Sequence, residues 1–365
     1  MTPRERLLIA IRNQQPDHVP AAPDLYEMIP VRLSGRPSWE MLVYEDPPIW
    51  KGRVDACLHY GVDAFIPLGI PAADAPPVAV VVREDDRIVT RQFTETAEGR
   101  VWSPIAVVYY RNEPSAVVKA DTIGLPAAHE DFEVVKSAYG KTGKAYLQEA
   151  MDYLGDRGVI APFIFLPALA HWPEEQIQYM EDPESVRARM ALIGEQMVQA
   201  LDTLLSWEPD VVCIGSSGMM IFNPPPIFRD LTLRWLQKLT RMAKERGVPT
   251  HLHCCGPERS LVEMAALETD LSCIEPLETK PMGDCDLAEI KAKFGDRIAF
   301  KGNLHTTKVM LMGTVTEVED ACKRAIDDAG AGGGFILSTG DQTPRDTPDE
   351  NILAMQRVAE TYGRY

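Results

Sequence analysis

The sequence predicts an α/β protein of the TIM-barrel type, with eight parallel strands each followed by a helix. Three observations lead there. From Val159 onward, apolar β-compatible runs alternate with helical runs, which implies a parallel sheet built from strand-helix units. With Val19–Pro23 and Val62–Pro67 added, the strand candidates number eight in 365 residues, a length that suits one such barrel. No Gly-x-Gly-x-x-Gly follows an early strand, so a doubly wound nucleotide-binding sheet would lack its phosphate-binding turn. The Gly330-Ala-Gly-Gly-Gly334 run precedes a strand and reads as a helix end.

Thr2 is placed to cap a short helix through Ile11, with Pro3 at the first helical position and Glu5 completing a capping box. Val19–Pro23 reads as a strand, residues 36–60 as proline-broken helix, and Val62–Pro67 as a second strand. The character then changes. Val78–Val82, Arg87–Phe93 and Arg100–Tyr110 are β-rich runs separated by turn residues, and a linker follows. This predicts a single barrel domain over 1–365, carrying a β-hairpin insertion or cap at about 76–128. Beyond it come a strand over Val159–Leu166 and a helix over Asp182–Ser206, then strand Asp210–Gly215 and helix Pro226–Arg246. A strand opening at Val248 leads to helix Glu258–Leu267, strand Leu271–Glu275 and helix Leu287–Phe294. Strand Ile298–Gly302, helix Val315–Asp328, strand Gly333–Ser338 and a helix over Pro348–Tyr362 capped by Thr347 complete the alternation.

The formal net charge of −17 argues against nucleic acid and anionic membranes as partners, since both need a basic surface. No apolar run approaches the ~18 residues of a membrane span. Seven scattered cysteines and a polar start at Met1-Thr-Pro-Arg predict reduced thiols and a cytoplasmic location. The oligomeric state stays open.

Chemistry collects where the strands end. In Val248-Pro-Thr-His-Leu-His-Cys-Cys-Gly256, strand alternation puts His251, His253 and Cys255 on one face and Leu252 and Cys254 on the other. An imidazole and a thiolate two residues apart suit a borderline ion such as zinc. The alternative is a buried thiol beside a hydrogen-bonded core histidine. Barrel active sites form at the C-terminal strand ends, which here offer Ser216 and Ser217, His253 and Cys255, Glu275, Asn303 and His305, and Asp341 and Gln342. Asp341 is placed as a third, oxygen ligand, unless it only caps a turn with Thr339 and Gln342. Glu275 reads as a fourth ligand or a general acid/base, His305 as a substrate-orienting or proton-handling group or a helix cap, and Ser216, Ser217, Asn303 and Gln342 as substrate contacts.

His253-Cys254-Cys255-Gly256 resembles the His-x-Cys-Gly motif of the uroporphyrinogen decarboxylase superfamily, in the branch holding methanol- and methylamine-type coenzyme M methyltransferases and chloromethane methyltransferase. Other landmarks resemble those of the superfamily, without marking one reaction: Thr2-Pro-Arg-Glu-Arg6, Pro16-Asp-His-Val-Pro20, Asp210–Gly215, Lys291–Gly295, Lys301-Gly-Asn303, Gly333–Ser338 and Asp346–Asn351. The resemblance implies a distorted barrel and a zinc ion held by His253, Cys255 and a second cysteine after the last strand. That last position corresponds to Asp341. Either the site keeps a metal with an oxygen in place of a thiolate, or tight zinc binding has been lost. The harder ligand would favour polarising the oxygen of a methoxylated donor over activating a thiol. The decarboxylases carry Arg-Gln-Ala-Gly-Arg near the N-terminus, where this chain reads Leu25–Ser34 with one arginine. The resemblance therefore implies a zinc-dependent methyltransferase moving a methyl group from a small methoxylated or methylamine-type compound to a corrinoid protein or related carrier. A metal-free decarboxylase-like lyase and a non-catalytic corrinoid- or tetrapyrrole-binding protein are the alternatives.

Overall fold

The computed structural model describes residues 1–215 and 217–365. In chain order its strands are β1 (Ala64–Leu68), β2 (Val78–Arg83), β3 (Arg87–Thr96), β4 (Gly99–Tyr110), β5 (Ala116–Lys119), β6 (Glu133–Val134), β7 (Gly158–Phe165), β8 (Val212–Gly215), β9 (Thr250–His253), β10 (Cys273–Glu275), β11 (Ala299–Leu304) and β12 (Phe335–Thr339). Seven of them form a parallel sheet in the order β1-β7-β8-β9-β10-β11-β12, with helices covering its outer face. The eighth stave is the segment Val19–Pro23, expected to be a strand. It makes a parallel bridge between Ala21 and Leu337, with Ala22 N–H to Leu337 O and Leu337 N–H to Pro20 O both at 2.9 Å. On its other side Asp63 N–H reaches Ala21 O at 2.9 Å, just before β1. Pro20 and Pro23 bring no N–H to a ladder, which limits this stave to a bridge. The sheet is thereby curled into a barrel.

Side-chain alternation divides the strands between two cores. Phe65, Val159, Ala161, Cys213, Cys273, Ala299 and Ile336 pack inside the barrel with Leu7, Ala10 and Ile11 of helix Pro3–Ile11, which plugs the N-terminal end. Ile66, Ile160, Ile214, Leu252, Ile274, Phe300 and Leu337 face outward into the larger core beneath the helices. The expected capping box between Thr2 and Glu5 is present. The plug is tied to the closing stave by Asp63, whose carboxylate accepts from Arg6 Nη1 at 2.7 Å and from Ala21 N–H at 3.0 Å, with 2% of the residue exposed. Asp63→Ala leaves the buried Arg6 short of a partner and is expected to cost about 3–5 kcal/mol. Asp17→Ala, at the exposed side of the same arginine, should cost less than about 1 kcal/mol. Urea midpoints at unchanged slope measure both.

The β-rich insertion forms a five-stranded antiparallel sheet in the order β5-β4-β3-β2-β6. It packs Val80 and Ile88 against Trp39 and Val43 at helix Ser38–Leu42. Ala116–Lys119, expected to be linker, is a strand of this sheet. Helices Met28–Ser34, Gly143–Leu154 and Pro173–Glu181 add to those expected, and the helix expected over 226–246 divides into Pro225–Leu231 and Leu233–Glu245. The division falls at Thr232, whose hydroxyl donates to Pro167 O at 2.6 Å and fixes the bend. Thr347 does not cap the last helix. Pro348 holds that position without a side-chain cap, and the Thr347 carbonyl instead accepts from Arg32 Nη1 at 2.6 Å. No described helix is long and apolar enough to cross a membrane, and all seven cysteines are free thiols.

Candidate metal centre

The site begins with the pleat of β9. Leu252 and Cys254 join the outer core, while His251 is fully buried inside the barrel and His253 and Cys255 follow on its side at the strand end. Gly215 makes room for this. Its φ is +150°, and a Cβ there would lie 2.1 Å from the His253 carbonyl oxygen, so β8 approaches β9 closely only with glycine at this point. Asp341, two residues past β12, adopts φ +139°, and its Oδ1 accepts from Gln342 N–H at 2.8 Å. That turn aims the aspartate at the β9 end. Ligand atoms of His253, Cys255 and Asp341 all lie within 4.8 Å of one another, and all three residues are half-buried.

The imidazole is set by what lies beneath it. His253 Nδ1 is 3.3 Å from Glu275 Oε1, which leaves Nε2 free to face the cluster. Glu275 ends β10, is buried, and pairs directly with the buried ammonium of Lys301 on β11. Burial alone would raise the Glu275 carboxyl, but the charge of Lys301 and the hydrogen bond with His253 hold it well below the usual carboxylate range. Glu275 is therefore an ionised orienting group. His251, 3.6 Å from Glu275 through Nε2, is pushed down to about 4 by burial and stays neutral.

The Cys255 turn is held from outside. Gly256 N–H donates to Glu278 Oε2 at 2.5 Å, and Leu277 N–H donates to Glu258 Oε2 at 2.7 Å. Each loop thus supplies a buried glutamate to the backbone of the other. Burial drives the Glu258 carboxyl well above its ordinary value. On the inner side, Ser217 Oγ lies 2.9 Å from Cys255 Sγ.

Beside these groups opens a cavity of about 370 Å³, lined by Asp24, Tyr26, Phe163, Phe165, His253, Glu275 and Asp341, with Ser217 and Gln342 also at its wall. Of the residues expected at the site, His253, Cys255, Asp341, Glu275, Ser217 and Gln342 come together here. Gln342 also anchors a neighbouring helix, since its Oε1 accepts from Glu27 and Met28 N–H at 3.0 and 3.2 Å. Asn303 and His305 lie elsewhere, on a separate outer cavity beside Cys285 and Asp286. His305 Nδ1 accepts from Thr307 and Lys308 N–H at 3.2 Å each, which makes it the cap of a π-helical turn over Thr306–Leu311. Asn303 donates to Leu277 O at 3.2 Å. Ser216, expected as a substrate contact, lies outside the described residues. Sequence reasoning passed over Asp24, Tyr26, Phe163, Phe165 and Lys301. Lys301 did carry a signal, because a charged residue inside a buried strand needs a partner.

A family model of uroporphyrinogen decarboxylase (URO-D) matches residues 175–362. A methyltransferase from Methanosarcina mazei has a similar structure, with a TM-score of 0.67, 17% identity, and 99% of each chain covered. A B12-independent methionine synthase from Shewanella sp. W3-18-1 aligns with a TM-score of 0.46 and 12% identity, over 94% of this chain and 98% of that one. No curated protein sequence matches the chain. At 17% identity the likeness to the Methanosarcina mazei structure is one of fold, and it agrees with the barrel expected from the sequence. The family match covers more than half of the residues: the chain belongs to the uroporphyrinogen decarboxylase family.

Proposed function

We propose that this protein is a metal-dependent methyltransferase, which moves a methyl group from a small methylated compound to a carrier, with zinc as the metal and a corrinoid protein as the carrier. The observation that supports the metal is the cluster of one nitrogen, one sulfur and one oxygen donor at the edge of a cavity, within 4.8 Å of one another. Tetrahedral zinc with ligand bonds of about 2.0–2.3 Å needs donors closer than that upper bound by about 1–1.5 Å, a shift that side-chain rotation supplies. Glu275 beside His253 Nδ1 also fits, because a carboxylate on the non-ligating nitrogen is the usual partner of a ligating histidine. When bound there, zinc supplies Lewis acidity toward an oxygen or nitrogen of the substrate.

The chain's own residues do the rest. Glu275 and Lys301 fix the ring of His253. The glutamate pair at residues 258 and 278 fixes the Cys255 turn. The Phe163 and Phe165 rings shape one wall of the cavity and limit water beside the reacting group. The corrinoid carrier rests on the family resemblance alone. Tetrapyrrole decarboxylation is the weaker reading, since the described residues lining the cavity include acids and no arginine to grip substrate carboxylates.

Asp341 tests the reading most directly. Asp341→Asn should weaken zinc binding at least about tenfold, and Asp341→Cys should restore it while changing donor preference. Competition with a chromophoric chelator reads the affinity, and methyl transfer from a panel of methoxylated and methylamine donors to a free corrinoid reads the activity. Wild-type zinc content in both variants would reduce Asp341 to a turn residue.

A further inference from the structure

Most charges at the cavity cancel once a divalent metal is counted. Zinc on His253, Cys255 thiolate and Asp341 carboxylate is neutral overall, and Glu275 is matched by Lys301. Asp24 is left over. It lines the cavity, its Oδ1 accepts from Tyr26 N–H at 3.0 Å, and it makes no ion pair among the described residues.

Around this carboxylate the wall is aromatic. Phe163 and Phe165 stand edge to face with centroids 5.0 Å apart, and Phe165 is 64% exposed. A ring left that open at a cavity wall is an apolar surface awaiting cover. Tyr26 is held in place by Arg53, whose guanidinium sits 3.8 Å from one ring face while donating to Tyr26 O and Pro67 O at 2.7 Å. Aromatic faces beside an unpaired acid form the pattern that recognises alkylated ammonium groups. Among the described residues that line the cavity there is no arginine or lysine to receive an anion, and the net charge of −17 draws cations toward the molecule.

We infer that the compound held in this cavity carries a small organic cation, a methylated ammonium group, seated between Asp24 and the rings of Phe163, Phe165 and Tyr26. This rests on the cavity being the substrate site of the proposed methyltransferase, and it narrows the methylated donor to a positively charged one. Burial pushes the Asp24 carboxyl up, and a cation beside it would offset that burial.

The test uses the full chain loaded with zinc and titrated calorimetrically with choline and with its neutral carbon isostere, 3,3-dimethyl-1-butanol. Choline should bind at least about tenfold more tightly, and added salt should narrow the gap. Asp24→Asn should lower choline affinity about tenfold and Phe165→Leu several-fold, both with zinc content unchanged. Equal affinity for the two isosteres, binding of neither, or an Asp24→Asn variant that binds choline as the wild type does would each overturn the inference. Failure of the metal reading would appear separately, as a chain that takes up no zinc.

Discussion

Cys255→Ser is expected to weaken zinc binding at least about 100-fold, while Cys254→Ser leaves it unchanged. Outer-shell changes at zinc sites typically cost 10–100-fold, and removal of a direct ligand should exceed that range. The contrast follows from the β9 pleat, which sends two adjacent thiols to different surroundings. Cys254 is sealed in the outer core, whereas Cys255 is half-buried with Ser217 beside its sulfur. A serine at position 254 buries a hydroxyl without a good partner and should lower stability by about 1–3 kcal/mol. Cobalt substitution adds a second readout, since the thiolate charge-transfer band should vanish only in Cys255→Ser. Equal zinc loss in the two variants would show that the ligand face has been assigned wrongly.

The second large effect is expected at Lys301. Lys301→Met leaves the Glu275 carboxylate buried without its ammonium and should cost about 3–5 kcal/mol, and Glu275→Leu should cost a similar amount by stranding the ammonium. The double variant should recover most of the loss, because two apolar side chains replace a pair whose attraction mainly offsets its own desolvation. The pH dependence has a definite sign. The Glu275 carboxyl is lowered on folding, so its contribution is present above the ordinary glutamate value near 4.3 and fades as pH falls below it. The Lys301 amine is raised despite burial, mainly by Glu275. Its contribution is present below about 10.4 and fades as pH rises further. Urea midpoints from pH 3 to 11 should therefore show a plateau in the wild type that is lower and flatter in the double variant. Glu275→Gln adds a functional readout: with His253 less firmly oriented, zinc affinity should fall about 10–100-fold even where the fold survives.

Much of the barrel was legible because its signals are local. Strand runs such as Val159–Leu166 are apolar, bounded by turn residues, and spaced by helices with their own periodicity. The proposed ligands His253 and Cys255 were legible for the same reason, since alternation on one strand fixes their common face. Asp341 was reached through its position beyond the last strand. What escaped was set by tertiary pairing. Asp24 follows a proline in an unremarkable loop, and only the bridge of Ala21 to Leu337 brings it to the cavity. His305 stands at a strand end like the residues that line the cavity, yet its imidazole is spent on the backbone of the next turn. Strand-end position selects the rim of a barrel, and it does not say which rim side chains turn inward.

The closing stave carries a consequence for how the chain is made. Asp24 N–H bonds Thr339 Oγ1 across 315 residues of sequence, so the seam of the barrel joins segments that leave the ribosome far apart in time. At about 5–20 residues per second, the early segment waits roughly 15–60 s for its partner. The length-dependent part of closing so long a loop is about 5 kcal/mol, which no local turn offsets. Until β12 arrives, the edge of β11 and the side of the stave that β12 will bridge are unpaired backbone groups able to join other chains. Nascent chains are thus most prone to self-association late in synthesis, when six of the seven sheet strands are present and the seam is still open.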